Sequence, residues 1–86
     1  MPEICRFYGI VIKMYFDDHN PPHFHADYGS FEAVVDIHNL AIIAGELPPR
    51  ALGLVAEWAS LHQVELRACW QRARSLEPVG KIEPLR

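Results

Sequence analysis

The chain has 86 residues, of which 50% are apolar and 22% are charged. This is enough for one small domain with one core, and it excludes a disordered chain. No apolar run approaches the roughly 20 residues of a membrane span. The N-terminus lacks a basic segment followed by an apolar one, so we expect a cytoplasmic protein without a secretory signal. Cys5 and Cys69 have no CxxC spacing, which favours reduced thiols.

The net charge of −3 is distributed unevenly along the chain. Residues 1–49 carry two basic and seven acidic side chains, whereas residues 50–86 carry six basic and four acidic ones. The first segment should repel a phosphate backbone and attract a divalent cation or a basic partner. The net charge therefore does not support nucleic-acid binding, and any such binding should use the second segment.

The first predicted element is a strand over Phe7–Phe16, which is rich in β-branched and aromatic residues. Its even positions are all apolar, so they should face the core. Pro21 and Pro22 then interrupt the pattern and predict an extended loop, because proline cannot donate a ladder hydrogen bond.

A hairpin is predicted next, with strands His23–Tyr28 and Phe31–Ile37 joined by Gly29-Ser30 in a type II′ turn. This register places apolar pairs on one face, which supports it. The opposite face then carries three pairs: His23 with Asp36, His25 with Val34, and Asp27 with Glu32. A fourth strand is predicted over Ala41–Ala44, after a turn near Asn39.

Apolar residues recur with helical spacing from Ala51 to Leu76 without a change of phase, which predicts one long helix over about 48–76. A break near Ser60 is the alternative. Residues 77–86 should form an extended tail. The predicted fold is thus a single α+β domain over 1–86, in which an antiparallel four-stranded meander (about 7–46) is covered on one face by the long C-terminal helix, or by two helices.

Such a helix would be about 40 Å long and would extend beyond the sheet. The apolar stripe near Cys69 and Trp70 would then overhang the sheet and need another cover. A homodimer is the partner that this overhang predicts. Trp58 is expected in the core or an interface, and His62 is expected to be a core histidine bonded to a carbonyl or carboxylate.

The histidines at the start of the hairpin are candidate metal ligands. His23 and His25 occupy positions i and i+2 of a strand, so they point the same way about 7 Å apart. Asp27 continues this row, and His19 could complete the site from the loop. Imidazole nitrogens and carboxylate oxygens are typical ligands of Zn²⁺ or another divalent metal.

The same residues suit acid–base chemistry. His23 and His25 could act as acid and base, with Asp36 orienting His23 across the hairpin. RNA cleavage through the 2′-hydroxyl of the substrate would need no protein nucleophile, and helix arginines such as Arg67 and Arg74 could hold phosphate. The structural alternative is an ordinary polar sheet face, as in any half-exposed antiparallel hairpin. The pattern alone does not decide whether the protein is an enzyme.

The stretch from Tyr15 to Ala26, YFDDHNPPHFHA, resembles the hallmark of a bacterial family of small proteins called domain of unknown function 4160. Further similar segments are Met1–Ile4, Gly9-Ile10, Gly45–Pro48, Leu61-His62, Glu65-Leu66, Trp70 and Ile82–Leu85. The resemblance implies a small cytoplasmic protein, often encoded beside a second small gene in a toxin–antitoxin-like pair. It also implies that His19, His23 and His25 belong to the family signature.

Three hypotheses of function follow from the residues and the resemblance together. The leading hypothesis is a component of a toxin–antitoxin-like pair, for which RNA cleavage through histidine acid–base residues is the expected activity. The second is a non-enzymatic module that binds a divalent metal. The third is an interaction module, whose acidic, histidine-bearing face docks a basic protein such as the product of the neighbouring gene.

Overall fold

The computed structural model describes residues 2–16 and 18–86, so Met1 and Asp17 of the similar segments lie outside the described residues. It confirms an α+β fold with an antiparallel sheet. Within the described residues the sheet has five strands, not the predicted four, and two helices follow it. The elements are β1 (Glu3–Phe7), β2 (Ile10–Lys13), β3 (His23–Tyr28), β4 (Phe31–Asp36), β5 (Ile42–Gly45), α1 (Pro49–Leu61) and α2 (Gln63–Arg74).

The additional strand arises at the N-terminus. The predicted strand over Phe7–Phe16 is wrong, because the chain reverses at Tyr8 and Gly9 and pairs β1 with β2. Both turn residues have positive φ angles, of 49° and 81°. A two-residue turn of this kind matches the twist of the strands it joins. The uninterrupted apolar pattern concealed the turn, since Tyr8 adopts a conformation that side chains of its type rarely take.

The strands form a meander in the order β1-β2-β3-β4-β5. The predicted hairpin register is confirmed, with Tyr28 opposite Phe31 and His23 opposite Asp36. Because paired residues share a face, the sheet has one apolar face, on which Trp58 of α1 packs against Phe24 at a ring-centroid distance of 5.9 Å. The second face carries the histidines of β3.

The predicted single helix is wrong, and the helical segment breaks at His62, whose φ of −130° is not helical. The break is two residues from the alternative at Ser60. The Gln63 side chain donates to the carbonyls of Ile37 and His38, at 2.9 and 3.0 Å. These bonds tie the start of α2 to the turn between β4 and β5, so a long-range contact accounts for the bend that the helical pattern does not reveal.

The C-terminal tail removes the overhang from which the homodimer was predicted. Cys69 and Trp70 are buried within the chain. Val79 and Ile82 of the tail are buried too, and the Ile82 N–H donates to the Ile4 carbonyl at 2.9 Å. The indole N–H of Trp58 donates to the Glu83 carbonyl at 2.8 Å. The chain therefore covers its own helix stripe, and the homodimer remains a prediction without this support. Neither helix in the described part of the chain is long and apolar enough to cross a membrane.

Substitution of Gly45 should test the path of β5. Gly45 has a φ of +75°, and an added Cβ would lie 2.1 Å from the carbonyl oxygen of Glu32. Gly45→Ala should therefore lower the free energy of unfolding by about 3 kcal/mol or more, measured by urea denaturation. Gly29→Ala is the matched control, since its φ is +59° but nothing lies within 4 Å. The control should cost only about 1 kcal/mol. Equal losses in both variants would contradict the close approach of β5 to β4.

Candidate metal centre

Three side chains from two parts of the chain meet on the second face of the sheet. His23 and His25 lie on β3, two positions apart, so both rings project from the same face. Asp18 comes from the loop between β2 and β3. One potential ligand atom from each of the three lies within 4.8 Å of the other two. The loop thus places a carboxylate over two imidazoles.

The ring of His23 has a hydrogen-bond acceptor at each nitrogen. Its Nδ1 lies 2.6 Å from the Pro21 carbonyl oxygen, and its Nε2 lies 2.9 Å from Oδ2 of Asp18. The residue is only 7% exposed, and the Trp70 ring packs against it at 5.1 Å. A neutral imidazole can donate from only one nitrogen. A neutral His23 ring therefore donates to only one of these two acceptors.

His25 lacks hydrogen-bond partners among the described residues. Both of its ring nitrogens are buried, and Nε2 lies 3.7 Å from Oδ2 of Asp18, beyond hydrogen-bond distance. The Tyr15 ring packs edge-on against it at 4.4 Å. Burial lowers the pKa of His25, and the neighbouring His23 adds to this effect. The neutral form, which can ligate a metal, is therefore favoured.

Asp18 is held as an ionised carboxylate. Burial raises its pKa, but the His19 backbone N–H and the His23 ring outweigh burial, so the pKa is lowered overall. The His19 N–H donates to Oδ1 at 2.9 Å, which leaves Oδ2 directed towards the two histidines. An ionised oxygen beside two imidazole nitrogens is a suitable ligand set for a divalent metal.

Two residues of the predicted metal set lie outside this three-residue cluster. The His19 side chain is 93% exposed, although its Nδ1 lies 3.2 Å from Oδ1 of Asp18. It is therefore adjacent to the cluster, which it contacts through Asp18, and is otherwise exposed to solvent. Asp27 instead forms an ion pair with Lys13 through Oδ2. The structure does not bring Asp27 to the two histidines.

Asp36, the predicted orienting residue, has a different contact. It lies opposite His23 in the register, but its Oδ1 accepts the backbone N–H groups of His38 and Asn39, at 2.7 and 3.2 Å. It stabilises the turn after β4. Asp18 contacts His23 in its place. Sequence reasoning missed Asp18, and the only available signal was an acidic residue a few positions before the prolines.

The cluster lines a cavity of about 270 Å³ on the sheet face opposite the apolar core. The cluster and the loop that carries Asp18 form the polar wall of the cavity. Val34, Ile43 and Ala44 form the apolar wall. The lining residues are Asp18, His19, Asn20, Pro21, His23, His25, Val34, Ile43 and Ala44. A ligand in this cavity would therefore contact both the polar group and an aliphatic surface.

His62, which the helical pattern predicted as a core histidine, lies away from the cluster on β3. His62 marks the helix break, with Nδ1 2.5 Å from Oε1 of Glu65 and its ring 5.6 Å from that of Trp58. It is not part of the cluster on β3. Its contacts are those of a histidine bonded to a carboxylate within the fold.

The stability of the metal-free protein should depend on the protonation of His25. Its folded-state pKa is below the ordinary 6.5, so the unfolded chain binds more protons as the pH falls through that value. The free energy of unfolding should therefore fall between about pH 7.5 and pH 5.5, as measured by urea denaturation in chelator. Asp18 contributes only at lower pH, since its pKa is lowered from 3.8.

His25→Asn should reduce this pH dependence, whereas His38→Asn, at an exposed position, should retain it. Equal stability of the wild type at about pH 7.5 and pH 5.5 would contradict a lowered pKa of His25.

Comparison with known proteins gives a match to one family model. A search of curated proteins and a search of solved structures returned no significant match. The model of one family, described as a domain of unknown function (DUF4160), matches residues 9–71. The match covers most of the chain and includes β2 to β5, α1, most of α2 and the whole Asp18–His23–His25 cluster. The chain therefore belongs to the DUF4160 family.

Proposed function

We propose that this protein binds one divalent transition-metal ion, of the zinc type, through Asp18, His23 and His25. The observation that carries the proposal is the His23 ring, which has a carbonyl at Nδ1 and a carboxylate at Nε2. With Nδ1 protonated towards Pro21, the lone pair of Nε2 faces the same point as the carboxylate oxygen. Metal-ligating histidines are commonly held in this way, by a hydrogen bond from the other ring nitrogen.

The environment of the cluster supports the same proposal. A buried imidazole without a partner costs roughly 1–3 kcal/mol, and a bound cation would remove this cost at His25. Residues 14–49 contain six acidic side chains and no lysine or arginine, so a cation is attracted. Cys5 and Cys69 are buried in the core, which leaves nitrogen and oxygen ligands. Such a set suits zinc and other first-row divalent metals.

Three protein ligands would leave one coordination position for His19 or for water. If His19 swings in, the site is closed and structural. If it remains in solvent, as its 93% exposure favours, the open position would hold water or substrate at the cavity. A metal in such a site acts as a Lewis acid and lowers the pKa of bound water. Metal-assisted hydrolysis is the reaction class that this arrangement supports.

Metal content of untagged protein tests the proposal. The protein is purified without chelator and analysed by inductively coupled plasma mass spectrometry, then stripped and titrated with zinc against a chromophoric chelator. We expect about one metal per chain and a single tight site. A stripped protein that takes up no zinc, cobalt or iron would refute the proposal. Uptake that is unchanged in His23→Ala/His25→Ala would also refute it.

The alternative function is metal-independent acid–base cleavage of RNA by a toxin–antitoxin component. The observation that favours it is the 2.9 Å contact between His23 and Asp18, since a carboxylate would orient one histidine while His25 lies close by, with a ring-centroid distance of 5.3 Å. Asp18 would then have the role predicted for Asp36. The acidic charge around the site opposes phosphate binding and makes this the second candidate.

A cleavage assay separates the two candidates. Acid–base catalysis requires RNA cleavage that persists in the presence of chelator and is lost in His23→Ala. Expression of the wild type should then inhibit growth, and His23→Ala should relieve that inhibition. Metal-assisted hydrolysis requires that the chelator abolish turnover and that added metal restore it. The product of the neighbouring gene is proposed as the partner in either case, and co-purification with that protein tests the pairing.

A further inference from the structure

An extra residue in β5 builds the apolar wall of the histidine cavity. Val34 of β4 pairs with Ala44, and the next residue, Val35, pairs with Ile42, so the register shifts between the two pairs. Ile43 is left without a partner of its own in this ladder. Such a β-bulge sets two residues of one strand against a single residue of the other. Ile43 and Ala44 are therefore both opposite Val34.

The bulge explains why Ile43 lies on the histidine face. In a regular strand, neighbouring side chains point to opposite faces, so Ile43 and Ala44 could not share one. Both nevertheless line the cavity, whereas Ile42, before the bulge, packs against the hydrophobic core. Bulges redirect side chains in this way beside active sites. Here the redirected side chain is an isoleucine that remains 47% exposed.

The apolar wall lies within reach of a ligand held at the metal centre. His25, Val34 and Ala44 occupy one row across β3, β4 and β5. Neighbouring strands are about 4.8 Å apart, so Val34 lies about 5 Å and Ala44 about 10 Å along the row from His25. A ligand with one donor atom and a short aliphatic chain spans this distance. The cavity of about 270 Å³ is smaller than the roughly 300–1,000 Å³ of sites for drug-sized molecules, so the ligand is small.

The charges at the cavity disfavour a strongly anionic ligand. None of the described residues that line it is lysine or arginine, and Arg67 and Arg74, the predicted phosphate-binding residues, are not among them. Lys13 of β2 forms an ion pair with Asp27. A divalent ion beside the Asp18 carboxylate leaves a single net positive charge, which one carbonyl oxygen can use. A phosphoryl group is usually held by further cations.

We propose that the metal-loaded cavity accepts a small, uncharged amide or ester with a short aliphatic group against Val34, Ile43 and Ala44. This proposal rests on the metal site proposed above. The carbonyl oxygen would take the open coordination position, and Ile43 would select the aliphatic group. Hydrolysis would add the oxygen of water to the carbonyl carbon and break its bond to the leaving nitrogen or oxygen. The leaving atom receives a proton from that water, so the products are a carboxylic acid and an amine or an alcohol.

Three small probes test this selectivity. The first, 3-methylbutanohydroxamate, has a zinc-binding end and an aliphatic group. Acetohydroxamate shortens the aliphatic group to a methyl, and 2-methylpropylphosphonate keeps the aliphatic group on a doubly anionic phosphonate. Binding of each to the zinc-loaded protein is measured by isothermal titration calorimetry. We expect the first probe to bind at least about tenfold more tightly than either of the others, because it alone combines a suitable donor with aliphatic surface to bury.

Substitution of Ile43 should remove most of the preference for the longer hydroxamate. Ile43→Ala should reduce the ratio of the two hydroxamate affinities by about fivefold or more, because the apolar contact is lost. Ile43→Thr keeps the β-branched shape and should have the same effect, which keeps the test informative if the alanine variant fails to fold. Zinc affinity should be unchanged in both variants. Val64→Ala, at a residue 76% exposed on α2, is the matched control and should retain the preference.

The outcomes separate the ligand from the metal. A wild-type protein that takes up no zinc refutes the metal site, and the ligand proposal with it. If zinc binds but the three probes bind equally, or the phosphonate binds most tightly, the ligand proposal alone is overturned. It is also overturned if both Ile43 variants retain the full preference, or if Val64→Ala loses it to the same extent.

Discussion

Substitution of His25 by alanine should lower the zinc affinity of the protein by about 100-fold or more. The expected loss is large because His25 is one of three proposed ligands, and its ring nitrogens have no other partner among the described residues. The measurement is competition of wild type and variant against a chromophoric chelator of known affinity. Asp18→Asn should also weaken binding, since an amide oxygen is a poorer ligand than a carboxylate and carries no charge.

Two matched controls keep this prediction specific. Asp27→Asn changes a neighbouring carboxylate that pairs with Lys13, and His62→Ala removes a histidine at the helix break. Both variants should bind zinc as tightly as the wild type. If His62→Ala weakens binding as much as His25→Ala, the metal lies elsewhere or binds non-specifically to imidazoles.

The largest loss of stability should follow removal of the Trp58 side chain. This residue is fully buried, packs between Phe7 and Phe24, and donates its indole N–H to the Glu83 carbonyl. It therefore links the sheet, α1 and the C-terminal tail. Trp58→Ala should lower the free energy of unfolding by about 3–5 kcal/mol in urea denaturation, because it leaves a cavity and an unpaired carbonyl.

The control for Trp58 is Val64→Ala, which shortens a side chain that is mostly exposed and should change stability by no more than about 0.5 kcal/mol. Trp58→Phe should have an intermediate effect, since it keeps an aromatic ring but loses the hydrogen bond. A Trp58→Ala variant as stable as Val64→Ala would show that the tail and α1 do not pack on the sheet as described.

The sequence predicted those parts of the fold that depend on local pattern. Alternation on two strands and a glycine turn were sufficient for the β3–β4 hairpin and its register. The β1–β2 turn was missed because the apolar run continues through Tyr8, which takes a positive φ. The helix break was misplaced because contacts between Gln63 and the turn after β4 accompany it, and such long-range contacts leave no periodic signal.

The sequence predicted the two histidines of the candidate site but not the carboxylate beside them. Strand geometry alone places His23 and His25 on one face, and the structure has them there. Their carboxylate neighbour could not be predicted, because a loop of irregular backbone carries Asp18 onto the sheet. Asp36 was a reasonable expectation from the register, but its carboxylate accepts bonds from the turn that follows its own strand.

The most direct test of the metal centre is the position of a bound ion. Crystals of zinc-loaded protein should be measured on both sides of the zinc absorption edge, and an anomalous difference map calculated. We expect one peak, about 2.0–2.2 Å from a ring nitrogen of His23, a ring nitrogen of His25 and Oδ2 of Asp18. A peak only at His62 and Glu65, or no peak in crystals grown with excess zinc, would contradict it.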